Sequence, residues 1–152
     1  SMSTLAIRAN APFDLAPLSV MLTDPAELAL VNPNAKHPFD PLEWQEKWLA
    51  EPDDASFYIV ENGRDVGFFA LRVGVGPEVR HLTYLYLLPE TRGGAGARMA
   101  ALVEEAARGL GARTITLKCE CDNAPALNAY RAAGFEELSQ RGGMATMRLD
   151  LD

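Results

Sequence analysis

Cysteine and histidine are scarce here, with two of each in 152 residues. Cys119 and Cys121 stand on one predicted strand with a single residue between them, and no second cysteine pair exists to complete a zinc site. Alternation sends both thiols to the same face, so two buried, reduced cysteines and no metal are expected. Long apolar runs are missing as well. The most apolar stretch, Phe68–Val73, is strand-length, far short of the ~20 residues of a membrane helix. A charged start followed by an apolar run is also missing from Ser1-Met2-Ser3-Thr4, which predicts no secretory signal and a cytoplasmic protein without a membrane partner. Ser1 ahead of Met2 reads as a remnant of tag cleavage, so residues 1–3 are set aside as a flexible start. Basic charge is in short supply, 14 lysines and arginines against 21 acids, a net charge of −7. That excludes the basic stripe a nucleic-acid partner needs and favours cationic or amine-bearing ones. Repeats and linkers are absent too. With 48% hydrophobic and 23% charged residues, 4–152 reads as a single domain with a core of its own.

Turn chemistry orders what remains. Leu5–Ala9 alternates as a strand. Asp24-Pro25 starts a helix with Asp24 as N-cap and Pro25 first inside, and Asn32-Pro33-Asn34 ends it. After the irregular His37-Pro38-Phe39, whose aromatic reads as exposed, a second helix begins near Pro41 and carries Leu42, Trp44, Trp48 and Leu49. Ser56–Glu61 and Val66–Val73 flank Asn62-Gly63, a hairpin signal. Gly74–Pro77 turns the chain into a long strand, Val79–Leu88, which Pro89 ends. Arg92-Gly93-Gly94-Ala95-Gly96 leads into an amphipathic helix to about Arg108, with Met99, Leu102, Val103 and Ala106 on one face. Thr114–Cys119 is the next strand, Asn123 or Asp122 caps a helix ending at Gly134, and Glu136–Ser139 with Ala145–Leu151 form a last hairpin around Gly142-Gly143. The fold class is mixed α/β: six to seven mostly antiparallel strands flanked by about four helices.

Between Thr83 and Leu110 a strand, a glycine-rich turn and an amphipathic helix follow one another. A helix N-terminus exposes unpaired N–H groups and partial positive charge, and glycines let a phosphate come close. The same turn also reads as a plain flexible connector. A Walker loop is excluded, since no Lys-Ser/Thr follows the glycines, and a dinucleotide fingerprint lacks its third glycine.

Leu85-Tyr86-Leu87-Leu88-Pro89-Glu90-Thr91-Arg92-Gly93-Gly94-Ala95-Gly96-Ala97 resembles the acetyl-CoA signature of the GNAT superfamily, with its core Arg/Gln-x-x-Gly-x-Gly/Ala. Further on, Asn123-Ala124-Pro125-Ala126-Leu127-Asn128-Ala129-Tyr130, then Gly134-Phe135, resembles the second signature, Asn-x-x-Ala-x-x-x-Tyr and Gly-Phe. The resemblance covers nearly the whole chain, though Leu5–Pro52 matches in topology only. One departure stands out: Ala95 occupies the first glycine position of the core, and a positive φ there would weaken pyrophosphate binding.

The resemblance implies an acetyl-CoA-dependent N-acetyltransferase, an acyltransferase needing no metal, whose fourth strand is broken by a β-bulge and splays from the fifth. Leu85, Tyr86 and Leu87 would lie along the pantetheine. The N–H groups of Arg92, Gly93, Gly94, Ala95, Gly96 and Ala97 would hold the pyrophosphate. Asn123 would contact the cofactor arm, and Tyr130 would protonate the leaving thiolate. Relatives are often dimers through their last strands, which makes a homodimer the expectation.

Chemistry then asks for a base. A lysine-like amine loses roughly 4.6 kcal/mol to deprotonation at pH 7. Where many relatives carry a strand glutamate this chain has His81, which accepts a proton near neutrality; Glu78 and Glu61 are the alternatives. Phe39, Trp44, Trp48 and Tyr84 are candidates for an aromatic wall around the amine, and equally for plain core. Neither cysteine has an activating histidine in the motif, so direct attack in a ternary complex is expected over an acyl-cysteine route. A non-catalytic acyl-CoA sensor of the same fold and a nucleotide-binding regulatory domain are the competing readings.

Overall fold

Asn62 and Gly63 sit at φ +52° and +75°. Two successive left-handed residues make the two-residue turn whose twist matches a hairpin, and asparagine and glycine tolerate it best. They join β2 (Ala55–Glu61) to β3 (Arg64–Gly74). Gly142 and Gly143, at φ +59° and +78°, do the same between β6 (Glu136–Arg141) and β7 (Met144–Asp150). The structure, a computed structural model, describes residues 4–152, the side chain of Pro77 apart; the reading of residues 1–3 lies outside the described residues.

The remaining elements are β1 (Leu5–Ala9), α1 (Ala16–Met21), α2 (Pro25–Val31), α3 (Pro41–Glu43, running into a π turn at Trp44–Trp48), β4 (Gly76–Leu87), a 3₁₀ turn at Pro89–Thr91, α4 (Gly96–Gly109), β5 (Thr114–Glu120) and α5 (Ala124–Ala132). Aspartates start two of these helices. Asp24 Oδ1 accepts from Ala26 N at 2.9 Å, and Asp40 Oδ1 from Leu42 N at 3.0 Å, each with proline next in line. The count of about four helices rises to five. The extra one is α1, six residues long, whose N-cap is a leucine with no side-chain hydrogen bond.

The seven strands follow the order β1-β2-β3-β4-β5-β7-β6. β4 and β5 run parallel, whereas β1 with β2, β5 with β7 and β6 with β7 run antiparallel. The β4–β5 ladder covers Val79–His81 against Thr114–Thr116. Three residues on, Tyr84 has φ +55° inside β4. A left-handed non-glycine residue costs on the order of 1–2 kcal/mol and marks an interruption of regular pleating. This is the strand in which the resemblance implied a break.

The described residues form two compact units, which share β3 and β4: residues 4–70 with Tyr84–Pro89, and Leu71–Thr83 with Glu90–Asp152. In the first, Leu18, Leu22, Leu28, Trp44, Tyr58, Phe68 and Tyr86 belong to one buried cluster. Each such side chain contributes roughly 1.5–3 kcal/mol by leaving water. In the second, the buried residues include the apolar stripe of α4 (Met99, Leu102, Val103, Ala106), alternate positions of β5 (Ile115, Leu117, Cys119) and of β7 (Ala145, Met147), and Leu127 of α5.

Two local expectations are corrected. β5 ends at Glu120, so Cys121 is not a second buried strand thiol: its N–H donates to Gly143 O at 2.9 Å and it is half-buried, while Cys119 is buried. Phe39 is not exposed but packs on Trp44, ring centroids 5.3 Å apart, because the irregular segment folds back onto that indole.

Gly67 of β3 sets how closely β4 approaches. A Cβ there would lie 2.6 Å from Tyr86 O and 2.9 Å from Ile59 Cδ1 and Leu87 Cδ1. Gly67→Ala is expected to destabilise the protein by about 1–3 kcal/mol through overpacking. A urea midpoint that does not fall, at unchanged slope, would show that this strand spacing relaxes freely.

Candidate functional site

The turn into α4 is built from ordinary and special backbone in a definite order. Gly94 takes the left-handed conformation, φ +67°, which glycine alone adopts freely. Ala95 N donates back to Arg92 O at 3.1 Å and begins α4 at φ −86°, ψ −8°. Ala95 therefore suffers no strain, and the positive φ asked of this turn falls on the residue before it. Gly96 has a different use: a Cβ there would come 2.8 Å from the Cβ of Ala129. Its bare backbone lets the start of α4 press against α5 beside Tyr130.

No side chain caps α4, and no acid stands in its first turn. By contrast α2, α3 and α5 are capped by Asp24, Asp40 and Asn123. The first amides of a helix have no intrahelical partners, and the summed peptide dipole adds positive potential there. The fourteen residues of α4 thus begin with the backbone features on which anions are bound in proteins generally.

Asn123 lies at the head of α5, where its Oδ1 accepts from Ala126 N at 3.3 Å. Its cap role is measurable: Asn123→Ala is expected to cost about 1 kcal/mol. A thermal midpoint equal to that of the parent protein would show that the cap contributes nothing. Tyr130, seven residues on, is half-buried and meets Phe135 edge to face at 5.5 Å. Burial first, then the Cys119 thiol, push the phenol well above its ordinary value of 10, so it holds its proton throughout the neutral range.

His81 sits on β4 in register with Thr116 of β5, and its Nδ1 lies 2.9 Å from Thr116 Oγ1. Either ring tautomer satisfies that pair. Burial first, then Lys118 and Arg72, lower the imidazole from its ordinary 6.5, so it is neutral at physiological pH. Glu61, half-buried, ends β2; Glu78, exposed, stands near the start of β4. Arg72, Thr116 and Lys118 were not singled out from the sequence. Strand alternation could have placed Thr116 and Lys118 together, opposite Ile115, Leu117 and Cys119.

Leu85, Tyr86 and Leu87 close β4 in the first unit, with Leu85 half-buried and the other two buried. The Tyr86 hydroxyl donates to Glu27 Oε1 at 3.3 Å, and Leu88 N donates to Val66 O at 2.8 Å. Phe39, Trp44 and Tyr84 do come together: Trp44 lies 5.3 Å from Phe39 and 5.0 Å from Tyr84. Trp44 itself is 0% exposed, so only the other two present surface. Trp48 is half-buried, with Lys47 Nζ 4.9 Å from its ring centre. Among the described residues no helix is long and apolar enough to cross a membrane.

Comparison with known proteins bears on this arrangement. An uncharacterized N-acetyltransferase of Methanocaldococcus jannaschii is 32% identical over 101 residues, 62% of this chain and 45% of the relative. The chain thus spans about half the length of the curated relative it matches. Among solved structures, a domain from the same organism shares 16% identity at TM-score 0.76, covering 99% of this chain and all of that one. A spermidine N-acetyltransferase from Vibrio cholerae, in complex with CoA and spermine, shares 16% identity at TM-score 0.74, over 97% of this chain and 95% of that one. Residues 22–135 match the sequence model of the acetyltransferase (GNAT) family. With the left-handed Tyr84 inside β4, the start of α4 on Ala95 and the α5 tyrosine following in sequence order, the chain belongs to the acetyltransferase (GNAT) family.

Proposed function

We propose that this protein moves the acetyl group of acetyl-CoA to a primary amine by direct attack in a ternary complex, as one cytoplasmic domain comprising residues 4–152 and working as a homodimer. The observation that carries the reading is the uncapped N-terminus of α4 behind the left-handed Gly94. In this reading the amides of Arg92 through Ala97 bind the pyrophosphate, backbone groups of Leu85 to Leu87 pair with the pantetheine arm, and Asn123 uses its remaining amide N–H on the same arm. Thr116 accepts from His81 Nδ1–H, which leaves Nε2 to take the proton of the attacking amine. Tyr130 then hydrogen-bonds the sulfur as its charge grows and hands its proton to the released thiolate, regaining one from solvent while His81 gives the amine's proton up to solvent. The phenol's pKa lies above the ~8.5 of a thiol, so the hydrogen bond to the developing thiolate, rather than early transfer, supplies most of the help. Phe39 and Tyr84 contribute an aromatic wall for the acceptor.

The Vibrio cholerae enzyme, a spermidine N-acetyltransferase seen with CoA and spermine, supports this acceptor class, and so does the neutral state of His81. Thiol release from acetyl-CoA across a panel of primary amines tests the reading. Release with at least one amine, together with calorimetric CoA binding, is expected. CoA binding with no release from any amine would instead make the chain an acyl-CoA sensor.

A further inference from the structure

An open trough of about 370 Å³ lies beside His81 in the second unit. Its border is largely aliphatic: Val73, Val75 and Val79 line it, with Thr116 next to the imidazole. Arg72 also borders it and is already engaged within the fold. Backbone geometry makes the space. Val79 and His81 stand two residues apart on β4, so their side chains leave the same face of the strand. Against Val79 the chain has Gly74, where a Cβ would come 3.0 Å from Val79 Cγ1 and 3.1 Å from Val79 O. Gly74 does not take the left-handed conformation, so it is room, not the turn, that calls for glycine there. The hairpin also shows apolar side chains to water. Val75 is 94% exposed and Val73 39%. Single exposed valines are ordinary, but valines grouped around one depression at a candidate base form a surface suited to an apolar ligand.

We propose that the acceptor is a primary amine on an uncharged aliphatic body, an alkylamine rather than a polyamine, and that this body lies along Val75 and Val79 while its nitrogen meets His81. This rests on the acetyltransferase reading and names its substrate class. With His81 Nδ1 paired to Thr116 Oγ1 at 2.9 Å, Nε2 is the ring nitrogen that receives the amine's proton. Each methylene laid on the valines leaves water and strengthens binding. A charged tail laid on the same valines gives up hydration to an aliphatic wall that returns no hydrogen bond.

A series from propylamine to hexylamine decides it, with 1,5-diaminopentane and 5-aminopentanoate as charged-tail counterparts. Every member carries an amine near the ~10.4 of a lysine side chain, so the rates compare bodies rather than ionisation. In the parent protein kcat/KM is expected to rise about 2–4-fold per methylene and to favour hexylamine at least ~10-fold over either charged-tail compound. Val79→Thr keeps the branched shape but adds a hydroxyl, and is expected to lower the hexylamine-to-propylamine ratio ~3-fold or more. Val75→Asp, on an exposed side chain, is expected to act the same way. CoA binding by each variant shows that it is folded. A flat length series, preference for a charged tail, or a ratio unmoved in both folded variants overturns the substrate class and leaves the acetyltransferase reading intact. CoA binding with no acetylation of any amine overturns both.

Discussion

Tyr130→Phe is expected to lower kcat by about 10²–10³-fold and to leave the KM for acetyl-CoA within about twofold, the pattern of a group that acts in the transition state. The substitution removes one oxygen. Phenylalanine can keep the edge-to-face packing on Phe135, so the fold is expected to survive. Burial and the Cys119 thiol hold the phenol protonated over the whole assay range, so the loss should be nearly constant from pH 6 to 9. Steady-state thiol release reads it directly. A kcat within threefold of the parent protein would reduce Tyr130 to a packing residue of α5.

His81→Gln is expected to lower kcat/KM by about 10²-fold and to erase the acid limb of its pH profile. The imidazole titrates below 6.5 because burial, Lys118 and Arg72 disfavour its charged form. Activity in the parent protein therefore falls as pH drops below that value, while the variant keeps only the rise that belongs to the amine. Stability should move the same way. The folded state holds this proton less readily than the unfolded chain, so the contribution is complete above 6.5 and fades as pH falls below it. Denaturant midpoints of parent and variant at pH 5.5 and 7.5 check the sign. A kcat/KM profile that still steepens below pH 6.5 in the glutamine variant, as in the parent protein, would move the base elsewhere, with Glu78 and Glu61 next in line.

Elements governed by chemistry within a few residues were legible from the sequence. Asp24-Pro25, Pro41, Asn62-Gly63 and Gly142-Gly143 each carry their conformation in the residue types themselves, and the elements they bound fall within about three residues of where the pattern put them. α1 was not legible, although Asp14 Oδ1 accepts from Ala16 N at 3.0 Å and Pro17 stands in its first turn, because six residues are too few to show a helical stripe. The glycine turn was legible in kind but not in detail. Ala95 is the residue out of pattern, yet the left-handed φ falls on Gly94, and Gly96 answers to Ala129, a partner on another helix. The cationic setting of His81 was hidden for a related reason. Thr116 is 35 positions away, and only the parallel register of β4 on β5 brings it and Lys118 alongside.

The bare start of α4 has a thermodynamic consequence. The helices α2, α3 and α5 each open on an Asp or Asn that completes the first turn, whereas α4 opens on alanine. In the proposed reading the coenzyme's diphosphate is the missing cap. Occupancy and melting temperature then become one measurement: at 100 times its dissociation constant the ligand adds about 2.7 kcal/mol to the folded state. Such a protein is at its most robust when the acyl donor is plentiful.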